Sequence, residues 1–288
     1  MDLKQIVILA MQVSILATVF GFGLKTRSGD LLYLLRRPSL LARSLLSVFV
    51  IMPMVAVGLT SLFNFHRLVE IALVALAISP VPPILPGKEG KAGGHASYGI
   101  GLMAILALVA LAAVPLAMAL LGRLFGREFG MAAGTIAGIV LKSTLLPLAA
   151  GIIVRAVAPA IGDRLERPVT LVGKVLLPVA ALVLVAGALP AMWALVGNGS
   201  VLPIVLFTAI GLAVGHVLGG PNPDESVVLA LSTASRHPAI AFAIAAANFP
   251  EERFGATILL YLLTSALVCV PYLAWQRRPA ARAAARMA

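Results

Sequence analysis

An arginine, a histidine and a proline stand together in the middle of one long apolar stretch, residues 226–249. Arg236 and His237 are the only side chains of this stretch that can carry a charge, and Pro238 follows them directly. Hydroxyl groups precede them along the chain, at Ser232, Thr233 and Ser235. Guanidinium, imidazole and hydroxyl groups in this arrangement favour the binding of a polar or anionic ligand.

The same stretch is long enough to cross a bilayer, but its backbone is expected to break at His237. Proline has no backbone N–H and disfavours helix in the residue before it. A guanidinium at membrane depth is costly and usually faces a cavity or a partner, and irregular backbone is tolerated there only where protein or water covers it. We therefore predict a broken helix with a binding site at its break. His237 is either a proton-coupling group or a hydrogen-bonding group that stabilises the break.

A second interrupted segment lies nearer the N-terminus. The apolar run at residues 68–80 is too short to span a membrane alone, and it runs into four prolines. These are Pro80, Pro82, Pro83 and Pro86. The prolines predict irregular backbone as far as Pro86. The stretch that follows is rich in glycine, which has a low helix propensity. Lys88 and Glu89 come next. They are predicted to form a buried pair, to act as a proton relay or to line the mouth of a cavity. They lie either at membrane depth or at the cytoplasmic surface.

Two further polar residues, Lys142 and Ser143, lie in another long apolar run. They are candidates for a cavity lining, although Lys142 could instead snorkel or bind a backbone carbonyl. The histidines offer no metal-ligand spacing, because His95, His216 and His237 stand on separate segments. We expect neither a metal nor a cofactor.

Composition identifies the class of protein. The chain has 288 residues, of which 61% are hydrophobic and 11% charged, and its mean hydropathy is +1.05. Several apolar runs reach the roughly 20 residues that span hydrocarbon. These values predict an all-α polytopic membrane protein. The formal charge of +11 is then explained by basic cytoplasmic loops rather than by binding of nucleic acid. No catalytic motif appears on any crossing, so we expect no enzyme.

The apolar runs give about nine crossings of the cell membrane and one transmembrane domain over residues 1–288. An N-terminus outside places twelve Lys and Arg residues of loops and tail in the cytoplasm and five outside, which favours that orientation with a cytoplasmic C-terminus. The two interrupted segments occupy corresponding places in approximate inverted repeats, 1–121 and 131–276. Such pairs mark the binding site of secondary transporters.

Short motifs along nearly the whole chain resemble the bile acid:sodium symporter family. They are Phe20-Gly-Phe-Gly-Leu24, Arg37-Pro38, Ile51-Met-Pro53, Lys142 with Leu145-Leu-Pro147, and Ala246-Ala-Ala-Asn-Phe249. The resemblance implies two inverted five-helix repeats whose fourth and ninth helices are broken and cross each other. This chain resembles that plan without its first helix.

The family's sodium ligands are replaced in this sequence. Its Ser-Asn pair at the first break corresponds to Leu85 and Pro86, and its Gln before the Met-Pro of the second helix corresponds to Val48. Its Glu and Gln-Asn at the second break correspond to Ser232, Arg236 and His237. These departures imply that sodium is not coupled through the usual site. Arg236, with Lys88 nearby, would supply the positive charge instead and bind an anion.

The sequence therefore predicts a secondary transporter of a small organic anion, with coupling to protons as an option. A passive channel or a non-transporting binding protein of the same fold is the alternative. An intramembrane enzyme is less favoured.

Overall fold

The structure is a computed structural model that describes residues 2–26, 29–126, 128–197 and 199–287, with the backbone alone at positions 4, 133 and 277–287. Arg27 and Arg127, which entered the count of loop charges, lie outside the described residues. The described chain consists of helices joined by short irregular connections and contains no strand. Its α-helices are α1 Leu3–Lys25, α2 Pro38–Leu46, α3 Met52–Leu62, α4 Arg67–Ile78, α5 Leu85–Lys91, α6 Ala96–Phe125, α7 Ala133–Val140, α8 Leu146–Val157, α9 Pro159–Val196, α10 Val201–Gly219, α11 Pro223–Ala234, α12 Pro238–Asn248 and α13 Gly255–Met287.

Eight helical segments of the described chain are long and apolar enough to cross a membrane. One of them is the broken pair α11–α12. About nine crossings were predicted, and the other broken pair, α4–α5, is not among these eight because each of its two helices is shorter than a full span. The predicted fold class, an all-α polytopic membrane protein with two broken segments that meet, is confirmed.

Two helices begin earlier than the apolar runs predicted. In the sequence the apolar runs of these two crossings begin near residues 45 and 169, whereas the helices themselves start at Pro38 and Pro159. Proline is well tolerated at the first helical position, and the polar turns that follow are helical without being apolar. Hydrophobicity therefore located the membrane-embedded part of each helix but not its start.

Short π-helical turns interrupt two crossings. The first, Ser47–Ile51, joins α2 to α3, and the second, Leu141–Leu145, joins α7 to α8. A proline stands at the second residue after each, Pro53 and Pro147. A π-helical turn carries one extra residue in its ring of hydrogen bonds and often marks a functional position.

Glycines bring helix pairs into backbone contact. Gly211, Gly215 and Gly219 recur every four residues on α10, and a methyl group on any of them would overlap the backbone of α11. Gly23 on α1 and Gly151 on α8 stand against each other in the same way. Small residues at this spacing allow close packing of helices in membranes. The contacts fix α11 on α10 in one layer, and α1 against α8 and α9 in another.

Buried apolar side chains form two clusters along the broken segments. One includes Leu73, Leu76, Ile240 and Ile244 on α4 and α12. The other contains residues of α5 and α11, among them Leu85, Val228 and Leu231. The breaks fall between the two clusters, so polar groups at the breaks are enclosed by apolar packing on both sides.

Candidate functional site

The two broken segments are hydrogen-bonded to each other at their breaks. The backbone N–H of His237 donates to the carbonyl of Pro80 at 2.8 Å. On one side of this bond α4 packs on α12, and on the other α5 packs on α11. We call the region where they meet, residues 79–84 with residues 235–237, the crossing. The crossing joins the residues that both interrupted sequences pointed to.

The break in the second segment leaves helix carbonyls without their usual partners. Pro238 has no N–H for the carbonyl of Ala234, which accepts from the hydroxyl of Tyr261 at 2.9 Å instead. The N–H of His237 is directed to Pro80, so it does not close the helical bond to the carbonyl of Thr233. The carbonyl of Thr233 therefore points into the crossing without a backbone donor.

The first π-helical turn frees another carbonyl. In this turn the N–H of Met52 donates to the carbonyl of Ser47, five residues earlier. The next bond of the same register would run from residue 53 to Val48, but Pro53 has no N–H to give. The carbonyl of Val48 is thus available to a side chain from another segment.

The guanidinium of Arg236 donates hydrogen bonds to these carbonyls. The residue is fully buried. Its Nη1 donates to the carbonyls of Val48 at 3.2 Å and Ser79 at 3.3 Å, and its Nη2 donates to the carbonyl of Thr233 at 3.0 Å. The ring of Phe207 lies 5.9 Å from the guanidinium carbon. A fixed positive charge is thereby held among carbonyl oxygens from three segments of the chain.

Two buried N–H groups at the crossing have no acceptor. Arg236 Nε and His237 Nε2 are buried and lack a hydrogen-bond partner among the described residues. His237 Nδ1 accepts from the N–H of Ile240 at 3.4 Å, so in the neutral imidazole the proton is on Nε2. Buried donors without acceptors are rare and call for a bound partner such as water, an ion or a ligand.

Glu89 enters the same region from α5. Its side chain is 2% exposed, and its Oε1 accepts from the hydroxyl of Ser232 at 2.7 Å. Its Oε2 has no hydrogen-bond partner within the described chain. Lys88 is exposed, so the two neighbours separate: Lys88 faces outward and Glu89 faces inward.

The helix around Glu89 begins earlier than the prolines suggested. Irregular backbone was predicted through Pro86, but Pro86 is the second residue of α5, where proline is tolerated. Pro80, Pro82 and Pro83 lie in the irregular part, and Pro238 begins α12. The glycine-rich continuation is helical up to Lys91 because this short turn packs on α6 and α11.

The remaining predicted site residues are spread over two places. Thr233 is buried and its hydroxyl lies 3.0 Å from that of Ser47, while Ser235 is half-buried in the break. Lys142 and Ser143 lie in the second π-helical turn, where Lys142 is exposed and Ser143 bonds to the carbonyl of Ile139. Within the described part of the chain, no hydrogen bond or ion pair joins these two residues to the crossing.

A polar network around Tyr33, a residue outside the candidate membrane spans, escaped the sequence interpretation. Tyr33 donates to Glu225 Oε1 at 2.7 Å, and Arg37 pairs with the same oxygen. Burial and the hydrogen bond to Glu225 raise the pKa of Tyr33 to about 12. The ring of His95 stacks on that of Tyr33 at 4.3 Å. The network ties the connection before α2 to the first turn of α11; the charged residues near both ends were its only signal in the sequence.

An apolar cavity lies next to the crossing. It has a volume of about 210 Å³ and lies between α3, α4, α6 and α12. Glu70 and Asn248 supply polar groups to its lining, and Ile78, the residue before Ser79, also lines it. A second cavity, of about 950 Å³, lies near the ends of α1 and α8. Arg236 lines neither of them.

Most of the chain matches the model of a known family. Residues 12–201 match the model of a family described as the Sodium Bile acid symporter family. The match includes the first break and both π-helical turns but ends before the second break. No curated protein matches the chain.

Proposed function

Because the chain belongs to the Sodium Bile acid symporter family, we propose that it is a secondary transporter of a small organic anion that does not use sodium at the crossing. The observation that carries the proposal is the buried guanidinium of Arg236, fixed on carbonyls of three segments with its Nε unpartnered. Family membership and the apolar helices make the chain a membrane protein of a transporter family. Its substrate and coupling are our inference.

The guanidinium competes with sodium for the same atoms. Sodium is a hard cation and prefers oxygen ligands. The carbonyls of Val48, Ser79 and Thr233 already accept hydrogen bonds from Arg236. A second positive charge among them would be repelled at close range and in a poorly screening environment. A cation tethered to the chain thus takes the role that a bound sodium ion would otherwise have.

The unpartnered donors favour an anion as the substrate. Arg236 Nε and His237 Nε2 are N–H groups on consecutive residues, and neither has an acceptor among the residues that the structure describes. Carboxylate and sulfonate groups accept several hydrogen bonds, and bonds to a charged guanidinium are among the stronger ones in proteins. The apolar cavity that reaches Ile78 suits an apolar body behind that group. We infer a small organic anion with one acidic group and an apolar remainder.

Transport requires the crossing to open alternately toward each side. The glycine contacts define two layers, one built on α1, α8 and α9 and the other on α10 and α11. Rocking of one layer against the other is the usual route to alternating access in inverted-repeat transporters. With the N-terminus outside, as the loop charges favour, the apolar cavity opens outward.

A non-transporting binding protein of the same fold is the second candidate. The observation in its favour is that Arg236 is fully buried and lines neither cavity. Such a protein would bind an anion after local opening but would not move it across the membrane.

Counterflow in liposomes distinguishes the two candidates. Purified protein would be reconstituted in sodium-free liposomes loaded with one unlabelled anion, and external trace label would be followed. The probes are taurocholate, 4-methyl-2-oxopentanoate and pantothenate, as a bile acid, a keto acid and a hydroxy acid. We expect transient accumulation of label for at least one probe, unchanged in the surface control Arg164→Ala. Binding without accumulation would indicate the binding protein. If no probe is either bound or accumulated, both candidates are refuted.

A further inference from the structure

A carboxyl group is buried beside the crossing, and the described residues provide no counter-ion for it. Glu89 makes one hydrogen bond, to Ser232, and no basic group of the described chain forms an ion pair with it. An ionised carboxylate in an apolar environment is costly unless it is paired, whereas the neutral acid is much less so. The geometry therefore suits Glu89 in its protonated form.

The surroundings of Glu89 favour a bound proton over a metal ion. A methyl group built on Gly99 would overlap Oε2, so the unpartnered oxygen lies directly against the backbone of α6. Ser232 supplies the one oxygen that binds the carboxyl group from another segment. Sodium needs several oxygens around it, whereas within the described chain the carboxyl group is hydrogen-bonded through Oε1 to Ser232 and has no partner on Oε2.

Few charged or titratable groups face this position. From α6 comes Tyr98, which interacts with the charges of both Glu89 and Arg43 and whose hydroxyl bonds to that of Ser44 on α2 at 2.8 Å. The helix α11 contributes Ser232, and Glu225 further along. On α5 itself Lys88 and Lys91 are exposed, and Cys269 on α13 lies near Lys88. The Glu89 side chain is buried whereas those of Lys88 and Lys91 are exposed, so the carboxyl group is kept apart from these two cations.

Exposed residues flank Glu89 on both sides along the chain. Its neighbours Lys88 and Gly90 are both exposed, and α5 is only seven residues long. The helix lies between the irregular residues 79–84 and a turn in which Gly93 has a φ of 87°. A small rotation of α5 would therefore bring Glu89 to water without unfolding a full crossing.

We propose that Glu89 is the proton-binding residue that couples this carrier to the pH gradient, with Ser232 as its positioning partner. The inference rests on the proposed function. One proton taken up from water on Glu89 Oε2 would accompany each monoanion bound near Arg236 and would be released to water on the opposite side. The fixed charge of Arg236 remains with the protein, so the transported pair carries no net charge.

The decisive variant is Glu89→Gln, which keeps the shape of the neutral acid but cannot release a proton. In liposomes with an acidic exterior and the best probe of the panel, we expect wild type to accumulate label and to acidify an enclosed pH dye. Accumulation should not respond to a potential set with potassium and valinomycin. Glu89→Gln should retain anion exchange but lose pH-driven accumulation at least tenfold, and Glu251→Gln, an exposed control, should match wild type.

Infrared spectroscopy tests the residue independently of transport. Wild type and Glu251→Gln should show the band of a buried protonated carboxyl group at neutral pH, and Glu89→Gln should lack it. An unchanged band in Glu89→Gln, or pH-driven accumulation equal to wild type, would overturn the proposal. Exchange without any response to pH in wild type would overturn proton coupling and leave the proposed function standing. Absence of all exchange would instead refute the proposed function, while the band would still decide whether Glu89 holds a proton.

Discussion

The backbone N–H of His237 donates to the carbonyl of Pro80 at 2.8 Å, so the two broken segments are joined by a main-chain bond at their breaks. This bond uses the donor that helix α11 would have needed for its own last turn. The carbonyl left behind, that of Thr233, is one of three that hold Arg236. The same break thus joins the two segments through a hydrogen bond and frees a carbonyl that binds the charged Arg236.

Restoring a donor at residue 53 should weaken the hold on Arg236. In Pro53→Ala the new N–H can bond to the carbonyl of Val48, and Arg236 would lose one of its three acceptors. A hydrogen bond to a charged group contributes roughly 1.5–3 kcal/mol, so we expect anion affinity to fall about tenfold while thermal stability is maintained. Equilibrium binding of the best probe measures this. Pro190→Ala, an exposed helix-interior proline on α9, is the control and should bind as wild type does; equal affinity in both variants would contradict the role of Val48.

The contact between α10 and α11 should be sensitive to one methyl group. Gly215→Ala would overlap the carbonyl of Leu229, and overpacking of this kind typically costs about 1–3 kcal/mol. Gly187→Ala on α9 meets open space, and we expect it to be neutral or slightly stabilising, since alanine is favoured over glycine in helices by about 1 kcal/mol. Cys269 is the single cysteine and is buried, so its reaction with a fluorescent maleimide during heating reports unfolding. Unfolding of both variants at the same temperature would argue against the close contact.

The network at the start of α2 should be lost at high pH. Burial and the Glu225 hydrogen bond raise the pKa of Tyr33 from its ordinary value of 10.0 to about 12, so the folded state favours the neutral phenol. Its contribution to the free energy of unfolding is complete below pH 10 and disappears as the pH rises through about 12. We expect Glu225→Gln to lower the pKa of Tyr33. Ultraviolet titration of tyrosinate, taken as the difference from Tyr33→Phe, measures it; an identical pKa with and without the carboxylate would contradict the assignment.

Much of the fold could be predicted because prolines and apolar runs act locally. Pro238 and the prolines from Pro80 onward indicated both breaks, and charged residues at the breaks indicated that they matter. The start of α9 could not be predicted from hydrophobicity, since its first turns are polar.

The site itself depends on register and packing, which the sequence does not display. That Val48 offers its carbonyl follows from a π-helical turn in front of Pro53, and an ordinary α-helix with the same proline would have freed Phe49 instead. The separation of Lys88 from Glu89 depends on the helical start at Leu85, within a stretch whose composition argues against helix. The sequence identified which residues lie at the crossing, but not which of their atoms form the hydrogen bonds there.

The central claim is that Arg236 provides the positive charge of the crossing and that sodium does not bind there. Its most direct test is equilibrium binding of the best probe anion in sodium and in choline, for wild type, Arg236→Ala and Arg236→Lys, with folding checked by Cys269 labelling. We predict equal wild-type affinity in both salts, a loss of at least tenfold in Arg236→Ala, and partial recovery in Arg236→Lys because the planar fork is absent. A strict sodium requirement in wild type, or full affinity in folded Arg236→Ala, would contradict the claim.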